Sequence, residues 1–488
     1  MSAVTAGLHA RVPLIIPVEN QVRELDPKLL LACVAAQRGF SSIIGSHRKI
    51  DFRIASLPRS LYLCKSFTVM NLRMFRIMHR LGQKIVSWDE EALVHLPADM
   101  YYSRRLSPLT LKYVSHLFAW GRDNAEMWRR YPQMPGDKPI HLTGNPRADL
   151  LRPEMRRFYE EDAATLRRRH GRFILVNTNF NHVNAFYPAQ NLLRPAKQPG
   201  QPPSFGKAAR GMSRPFAEAL HRHKQALFEH FLELVPQLDA AFPGVNIVVR
   251  PHPTENPGVY HELARRCRRV TVSNDGNVVP WLMAAEALVH NGCTTAVEAY
   301  LVGVPAVSYR PVVDEDIDEG FYRLPNRLSH QCFDAAALKD AVAGVLDGRV
   351  RVPEGEEARR MVEEYLVGLE GPLACERMLD AIEGIAGKEQ TLPSPDPLSW
   401  LSGWSLANGR RLVKWFKRYL PGSHAPPEFH RHRYPGISLE ELCVQIERFR
   451  DLLGGNFEVD VREIADQVFR LDPVGRDHEQ LHKRKLAS

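Results

Sequence analysis

The sequence predicts an α/β protein of two parallel-sheet domains facing a cleft, followed by a C-terminal helical extension. Three observations lead there. Apolar runs too short for helices and without polar alternation, such as Ile247-Val248-Val249 and Ala287-Leu288-Val289, have the signature of parallel strands buried on both faces. Segments with helical starts and stops alternate with them, as in βαβ units. A chain of 488 residues has room for two domains of about 100 to 200 residues and an appendage. The first domain is drawn at residues 1–146, the second at 147–388 and the extension at 389–488.

In the first domain, Val12 to Val18 reads as the opening strand, and Asp26-Pro27 as N-cap and first position of a helix that stops at Arg38-Gly39. Ser42 to Gly45 restores a strand and completes a βαβ unit. Between strand and helix, Glu19 to Asp26 is a polar loop at a sheet edge, where an acceptor could bind, although such loops are commonly just solvated. Asn71 to Arg80 is helical with Gly82 as its stop, and Lys84 to Trp88 is a strand ending in Asp89-Glu90-Glu91. Carboxylates gathered at a strand end are candidates for taking a proton from a hydroxyl, because neighbouring like charge raises a carboxyl pKa. The same cluster before a helix also reads as compensation of the helix dipole. His116 to Gly121 follows a helix opening at Ser107-Pro108, and Ile140 to Thr143 closes the domain before the turn Gly144-Asn145-Pro146-Arg147.

The second domain opens with Phe173 to Asn177, which ends in Thr178-Asn179-Phe180-Asn181-His182, polar groups suited to a ligand or a lid. Leu193 to Gly211, rich in Pro, Gly, Lys and Gln, reads as a mobile loop, and Phe216 to Phe242 as a long amphipathic helix. The most informative stretch follows. Ile247-Val248-Val249 ends in Arg250-Pro251-His252-Pro253; residues two apart in extended backbone project to one side, so Arg250 and His252 form a candidate phosphate clamp stiffened by prolines. A proline-rich loop with a solvated Arg and a packed His is the competing reading. Ala287 to His290 is the next strand, Asn291-Gly292-Cys293 its turn, Thr294 to Leu301 a helix stopped by Gly303, and Ala306 to Tyr309 another strand. A helix start with Gly292 for close approach, hydroxyls at Thr294 and Thr295 and free backbone N–H groups is a natural anion site, and Glu298 is placed to accept from ribose hydroxyls. Thr295-Ala296-Val297-Glu298 also reads as a capping box. Asp314 to Gly320 is an acidic loop, and Ala335 to Ala386 is helical.

Together, RPHP, the small-residue turn, TTAVEA and GVPAVSYRP resemble the donor half of glycosyltransferases with two Rossmann-like domains, the GT-B architecture. The likeness is to the bacterial surface carbohydrate biosynthesis proteins, and more distantly to capsule transferases that use CMP-linked Kdo or sialic acid; it spans about residues 12 to 345. It implies that His252 with Pro253, and the segment of Asn291, Gly292, Thr294, Thr295 and Glu298, meet the nucleotide and its phosphate, with Arg250 assisting. In that reading His252 is also catalytic, neutralising charge on the leaving phosphate, and the acceptor's proton goes to Glu90 or Glu91 ahead of Asp89. The related proteins follow their acidic residues with glycine where Ala92 stands here, which leaves open which carboxylate faces the acceptor. The resemblance implies a place for Arg147 near the cleft, where it touches substrate or equally makes a salt bridge that holds the linker, and for Asn326 to Ser329 where related proteins contact the nucleotide. It implies transfer of a sugar from a nucleotide-activated donor, CMP-Kdo or another CMP-sugar favoured, to a glycan or lipid-linked acceptor in surface polysaccharide synthesis. No metal and no cofactor beyond that nucleotide-sugar co-substrate is expected. The rivals are a CDP-alditol polyol phosphotransferase, a sugar-nucleotide 2-epimerase and a non-catalytic scaffold for polymer assembly.

Composition narrows the partners. A formal charge of +9 and a pI near 9.2 suit an anionic substrate or an anionic membrane, while the lack of a nucleic-acid-binding motif argues against RNA or DNA. Seven cysteines without CxxC or zinc spacing argue against a disulfide framework and a metal site. The start has too short an apolar core for a signal peptide and no run is long enough to span a membrane, so a cytoplasmic protein is expected, peripheral at the membrane in one reading. That reading comes from the extension. After the linker Thr391 to Pro397, Leu398 to Leu420 mixes Trp400, Trp404, Trp415 and Phe416 with Arg410, Arg411, Lys414, Lys417 and Arg418. The competing expectation is that these aromatics dock on the protein. The closing HKRKLAS is a charge run.

Overall fold

The computed structural model describes residues 11–94, 97–196, 201, 203–386, 392–417, 427–455 and 457–474. Two compact units divide the chain: Met1–Glu90 with Arg105–Leu150 and Leu366–Ser488, and Glu91–Arg104 with Leu151–Tyr365. Each is an α/β unit built on a Rossmann-like parallel sheet.

The first unit runs β1 (Leu14–Val18), α1 (Gln21–Gln37), β2 (Ser42–Ser46), α2 (His47–Arg53), β3 (Leu61–Cys64), α3 (Leu72–Arg80), β4 (Lys84–Ser87), β5 (Val114–Ala119) and β6 (Ile140–Leu142). Its parallel strands lie in the order β2-β1-β3-β4-β5-β6, so the direction of winding reverses between β1 and β3. Helix α1 starts at Gln21 rather than at Pro27, which sits inside it. The cause is Glu24, whose carboxylate accepts the Glu19 backbone N–H at 2.9 Å and binds Lys28 at 2.8 Å, tying down a first turn that proline alone would not start. The expected acceptor loop therefore shrinks to Glu19 and Asn20.

The second unit runs β7 (Phe173–Asn177), a small antiparallel hairpin of β8 (Leu193–Arg194) and β9 (Ser204–Phe205), then α4 (Arg214–Ala241), β10 (Asn246–Arg250), β11 (Val270–Val272), β12 (Ala287–His290), α5 (Thr295–Val302), β13 (Ala306–Tyr309), α6 (Glu315–Phe321) and β14 (His330–Cys332). The order β11-β10-β7-β12-β13-β14 winds outwards both ways from β7, the doubly wound pattern whose ligand crevice lies at the carboxyl ends of the central strands. Alternate residues feed opposite faces: Ile174, Val176, Ile247, Val249 and Val289 enter the core beneath α4, while Phe173, Leu175, Val248 and Leu288 pack with Trp281 and Ala296 on the other side. Both faces are covered, as a parallel sheet requires. Strands β3, β11 and β14, of three or four residues, escape the sequence reading. The expected mobile loop of 193–211 holds the hairpin instead, anchored by the buried Leu192, Ala209 and Met212; residues 197–200 and 202 lie outside the described set. The expected acidic loop at Asp314 is helix α6, capped by the Asp314 side chain accepting the Ile317 N–H.

The C-terminal segment from Leu366 falls in the first compact unit. Helix α7 (Ala374–Ala386), drawn in the second domain, belongs to the first unit, where the Asp149 carboxylate accepts the backbone N–H groups of Ala374 at 2.7 Å and Cys375 at 2.9 Å. Helices α8 (Pro397–Lys417) and α9 (Leu439–Leu452) follow, as an extension of helical character predicts. Two strands then depart from it: β15 (Val459–Ala465) and β16 (Val468–Pro473) form a hairpin, and β16 pairs antiparallel with β2. Burial of Val468, Phe469 and Leu471 fixes this edge. The N-terminal ten residues, Thr391, Arg418 to Leu420 and the HKRKLAS tail lie outside the described residues.

Candidate functional site

Three neighbouring strands of the second unit, β10, β7 and β12, end in Arg250, Asn177 and His290, and the polar groups expected from sequence stand just beyond them. His290 is fully buried. Its Nδ1 accepts the Gly292 N–H at 3.0 Å, which leaves the proton on Nε2, and Nε2 then meets Ser329 Oγ at 2.8 Å. Burial pushes its pKa down to about 3, so it is a neutral strut that holds the turn. Gly292 adopts φ +82°, and a Cβ there would stand 2.6 Å from the Tyr322 ring, so the turn needs glycine twice over. Its carbonyl accepts Asn179 Nδ2 at 3.1 Å.

At the start of α5, Thr295 is the buried residue of the pair, its hydroxyl accepting from Asn177 Nδ2 at 3.2 Å and meeting Cys293 Sγ at 3.0 Å. Thr294 is the partly exposed N-cap, and its side chain caps no helical N–H. The capping box anticipated at Thr295 to Glu298 therefore does not set this terminus. Glu298 is buried in the first turn and acts on Arg250, supporting its positive charge. Asn177 and Asn291 are each more than nine-tenths buried, and each keeps a side-chain Oδ1 without a hydrogen-bond partner among the described residues.

The RPHP segment splits in two. Arg250 does not project with His252: its guanidinium donates to the carbonyls of Asp275, at 2.9 Å, and Gly276, and lies 5.4 Å from the Trp281 ring centroid. Burial lowers its pKa to about 10, with Asp275 and Glu298 opposing. It is a girder of the sheet edge, and the joint clamp is not formed. His252, between Pro251 and Pro253, accepts on Nδ1 from the Thr254 N–H at 3.2 Å, which places the imidazole proton on Nε2. Its loop is locked by a group the sequence reading passed over, Glu255. That carboxylate is 1% exposed and accepts from Tyr260 Oη at 2.6 Å, Phe180 N–H at 2.8 Å, Thr178 Oγ1 at 3.1 Å and His252 N–H at 3.3 Å. Burial raises its pKa even so.

A second overlooked residue is the most telling. Lys224, on α4, is fully buried, and its Nζ has no hydrogen-bond acceptor among the described residues. The ammonium lies 4.1 Å from the centroid of the Tyr322 ring, the ring that packs against Gly292. Burial lowers its pKa to about 8, opposed by Asp318, Glu255 and Cys293. His182 is beside it: burial, then Lys224, Arg104 and His252, push its pKa down to about 3. A lysine in the middle of a helix carries no sequence signal of this kind; only the packing of α4 aims it.

The carboxyl edge of the first unit is built differently. Asp89 is buried in an ion pair with Arg105, and Glu90 accepts Trp88 Nε1 at 2.7 Å with Arg147 at 3.7 Å. Lys65, which follows β3, bridges Glu19 and Glu24 at 2.7 Å each, and Arg433 reaches Glu19 at 2.6 Å. Although burial opposes it, these cations hold Glu19 and Glu24 well below the ordinary carboxyl range. Glu91 falls in the second unit and is the partly exposed member of the triplet. A cavity of about 420 Å³ lined by Gln83, Pro395 and Trp400 opens at the opposite edge of the first sheet, away from these groups. Among the described residues, no group of three His, Cys, Asp or Glu side chains could hold a metal ion, and no helix is long and apolar enough to cross a membrane.

No protein-family model and no curated protein matches the chain. Among solved structures it is similar to the wall teichoic acid polymerase TagF, at 10% identity over 78% of this chain and 90% of that one, with a TM-score of 0.48. A putative UDP-N-acetylglucosamine 2-epimerase from Listeria monocytogenes is similar at 14% identity over 79% and 98% of the two chains, with a TM-score of 0.44. Anabaena Alr3699/HepE, solved with UDP and glucose, is similar at 10% identity over 78% and 100%, with a TM-score of 0.41.

Proposed function

We propose that the chain is a glycosyltransferase of surface polysaccharide synthesis that takes its sugar from a nucleotide donor, CMP-sugars such as CMP-Kdo first among them. The observation that carries the reading is Lys224, a buried ammonium without an acceptor, close to Cys293 and to the ring that backs the Gly292 turn. A buried charge left without a partner is costly, and an anion removes that cost. The α5 N-terminus, with its backbone N–H groups, and His252 Nε2 supply further donors for a phosphate.

In the reaction, the bond from the anomeric carbon to phosphate oxygen breaks as the acceptor oxygen bonds to that carbon. Lys224 and His252 stabilise the charge that grows on the departing nucleotide. The base role is given to Glu91, the partly exposed carboxylate of the triplet, which receives the acceptor's proton. The acceptor is a glycan or a lipid-linked glycan.

Melting the chain with CMP, CDP, UDP and their sugars tests this, because a ligand of the folded form raises the melting temperature by mass action. A shift with CMP is expected in the native chain and not in Lys224→Met; a shift unchanged by Lys224→Met overturns the site. Glu91→Gln should lower kcat by about 100-fold or more with nucleotide binding kept. One observation favours a second reading, transfer of a polyol phosphate from a CDP-alditol: His182 lies within electrostatic reach of His252, so two histidines share the site. Product analysis separates them, a new glycoside against a phosphodiester.

A further inference from the structure

We infer that α8 is a docking helix that seats the chain on an anionic lipid surface. It has 21 residues and no Asp or Glu. One side of it is committed to the protein. Gly403 is buried against the end of α3, where a Cβ would stand 2.9 Å from Arg80 Cβ and 3.2 Å from Leu81 Cγ, so glycine sets the close approach. On the same side Arg410 pairs with Asp51 at 3.1 Å and Lys414 lies over the Phe52 ring.

The opposite side inverts the usual surface helix. Leu401, Trp404, Leu412 and Trp415 recur at the spacing of one helical face, joined by Leu398 and Phe416, and their exposures are 52%, 44%, 57%, 46%, 80% and 57%. Trp404, Trp415 and Phe416, which could have docked on the protein, face outward instead, while Trp400 lines the cavity beside Gln83. Basic charge accompanies this stripe: Arg411 and Lys417 are exposed on the helix, and on its protein-facing side Lys414 is crowded by Arg410, Arg48 and Arg73, with Asp51 an acidic group acting on it. An anionic bilayer offers hydrocarbon for the stripe and phosphate for the cations at once, and Trp side chains favour that boundary. A second copy of the chain would set one basic cluster against another across a twofold axis. The helix lies on the membrane and does not cross it.

Co-sedimentation of the full chain with phosphatidylcholine vesicles, with and without phosphatidylglycerol, is the test. Binding to the anionic vesicles should be at least about 10-fold tighter and should weaken with salt. Trp404→Ser with Trp415→Ser should abolish it, and Arg411→Glu with Lys417→Glu should erase the preference for anionic lipid. Because these side chains are exposed, the variants should melt as the native chain does and keep its nucleotide-induced shift, which separates a failure here from a failure of the donor site. Equal binding to neutral and anionic vesicles, native-like binding by the variants, or a dimer in solution that the Trp404→Ser, Trp415→Ser pair dissociates would each overturn the proposal.

Discussion

The carboxyl edges of the two sheets answer the same problem, buried charge at a strand terminus, in opposite ways. In the first unit every carboxylate at that edge has found a cation: Glu19 and Glu24 share Lys65, Glu24 also binds Lys28, Asp89 binds Arg105 and Glu90 faces Arg147. In the second unit the cation Lys224 is left without an acceptor among the described residues, and two buried asparagines of the same unit, Asn177 and Asn291, keep unpartnered oxygens. A satisfied network is explained by stability; an unsatisfied one points to something the chain binds.

The sharpest way to break that comparison is to disturb the satisfied edge. Glu24→Ala takes the carboxylate from the buried Lys28 and leaves the partly exposed Lys65 with Glu19, and should cost about 3–5 kcal/mol in denaturant unfolding. Since Glu24 and Glu19 have lowered pKa values, their contribution is present above their ordinary 4.5 and is lost as pH falls below it; Glu24→Ala should flatten that acid limb.

Lys224 has the opposite sign. Its pKa falls from 10.5 unfolded to about 8 folded, so the unfolded chain holds the extra proton between those values and stability rises as pH climbs through them. The rise should be on the order of 3 kcal/mol and vanish in Lys224→Met. Nucleotide affinity should run the other way, falling above about pH 8 as the ammonium is lost, and titration calorimetry across that range checks it. Gly292→Ala comes next. It meets both a left-handed backbone and the Tyr322 ring, and should cost about 1–3 kcal/mol by thermal melting. Smallest is Thr294→Ala: an N-cap normally contributes about 1 kcal/mol, but this side chain caps nothing, so the change should stay within about 0.5 kcal/mol.

Much of the second unit was legible because its signals are local. Ala287 to His290 and Ala306 to Tyr309 are uninterrupted apolar runs, and Gly303 stops α5 with φ +81° as a helix C-terminus requires. The turn at Gly292 could be recognised as a place of close approach from its neighbours in sequence. Arg250 and His252 mark where that reading stops: alternation along a strand predicts a shared side, but the carbonyls at Asp275 and Gly276, 25 residues further on, turn the guanidinium away. The start of α1 shows a different limit: Glu24 ties down the first turn through the Glu19 N–H and Lys28, local contacts that the Asp26-Pro27 cap signal hides, and Lys65, 41 residues away, adds to them.

What the sequence by itself determined is the alternation of strands and helices, the glycine turns and the strand ends at which polar groups are presented, because each depends on neighbours within one turn or one strand. Only the tertiary structure decided which of those groups are neutralised and which are not. Lys224, Glu255 and the Gly403 face of α8 acquire their meaning from partners distant in the chain, and desolvation, which depends on everything packed around a charge, cannot be read from the residues beside it.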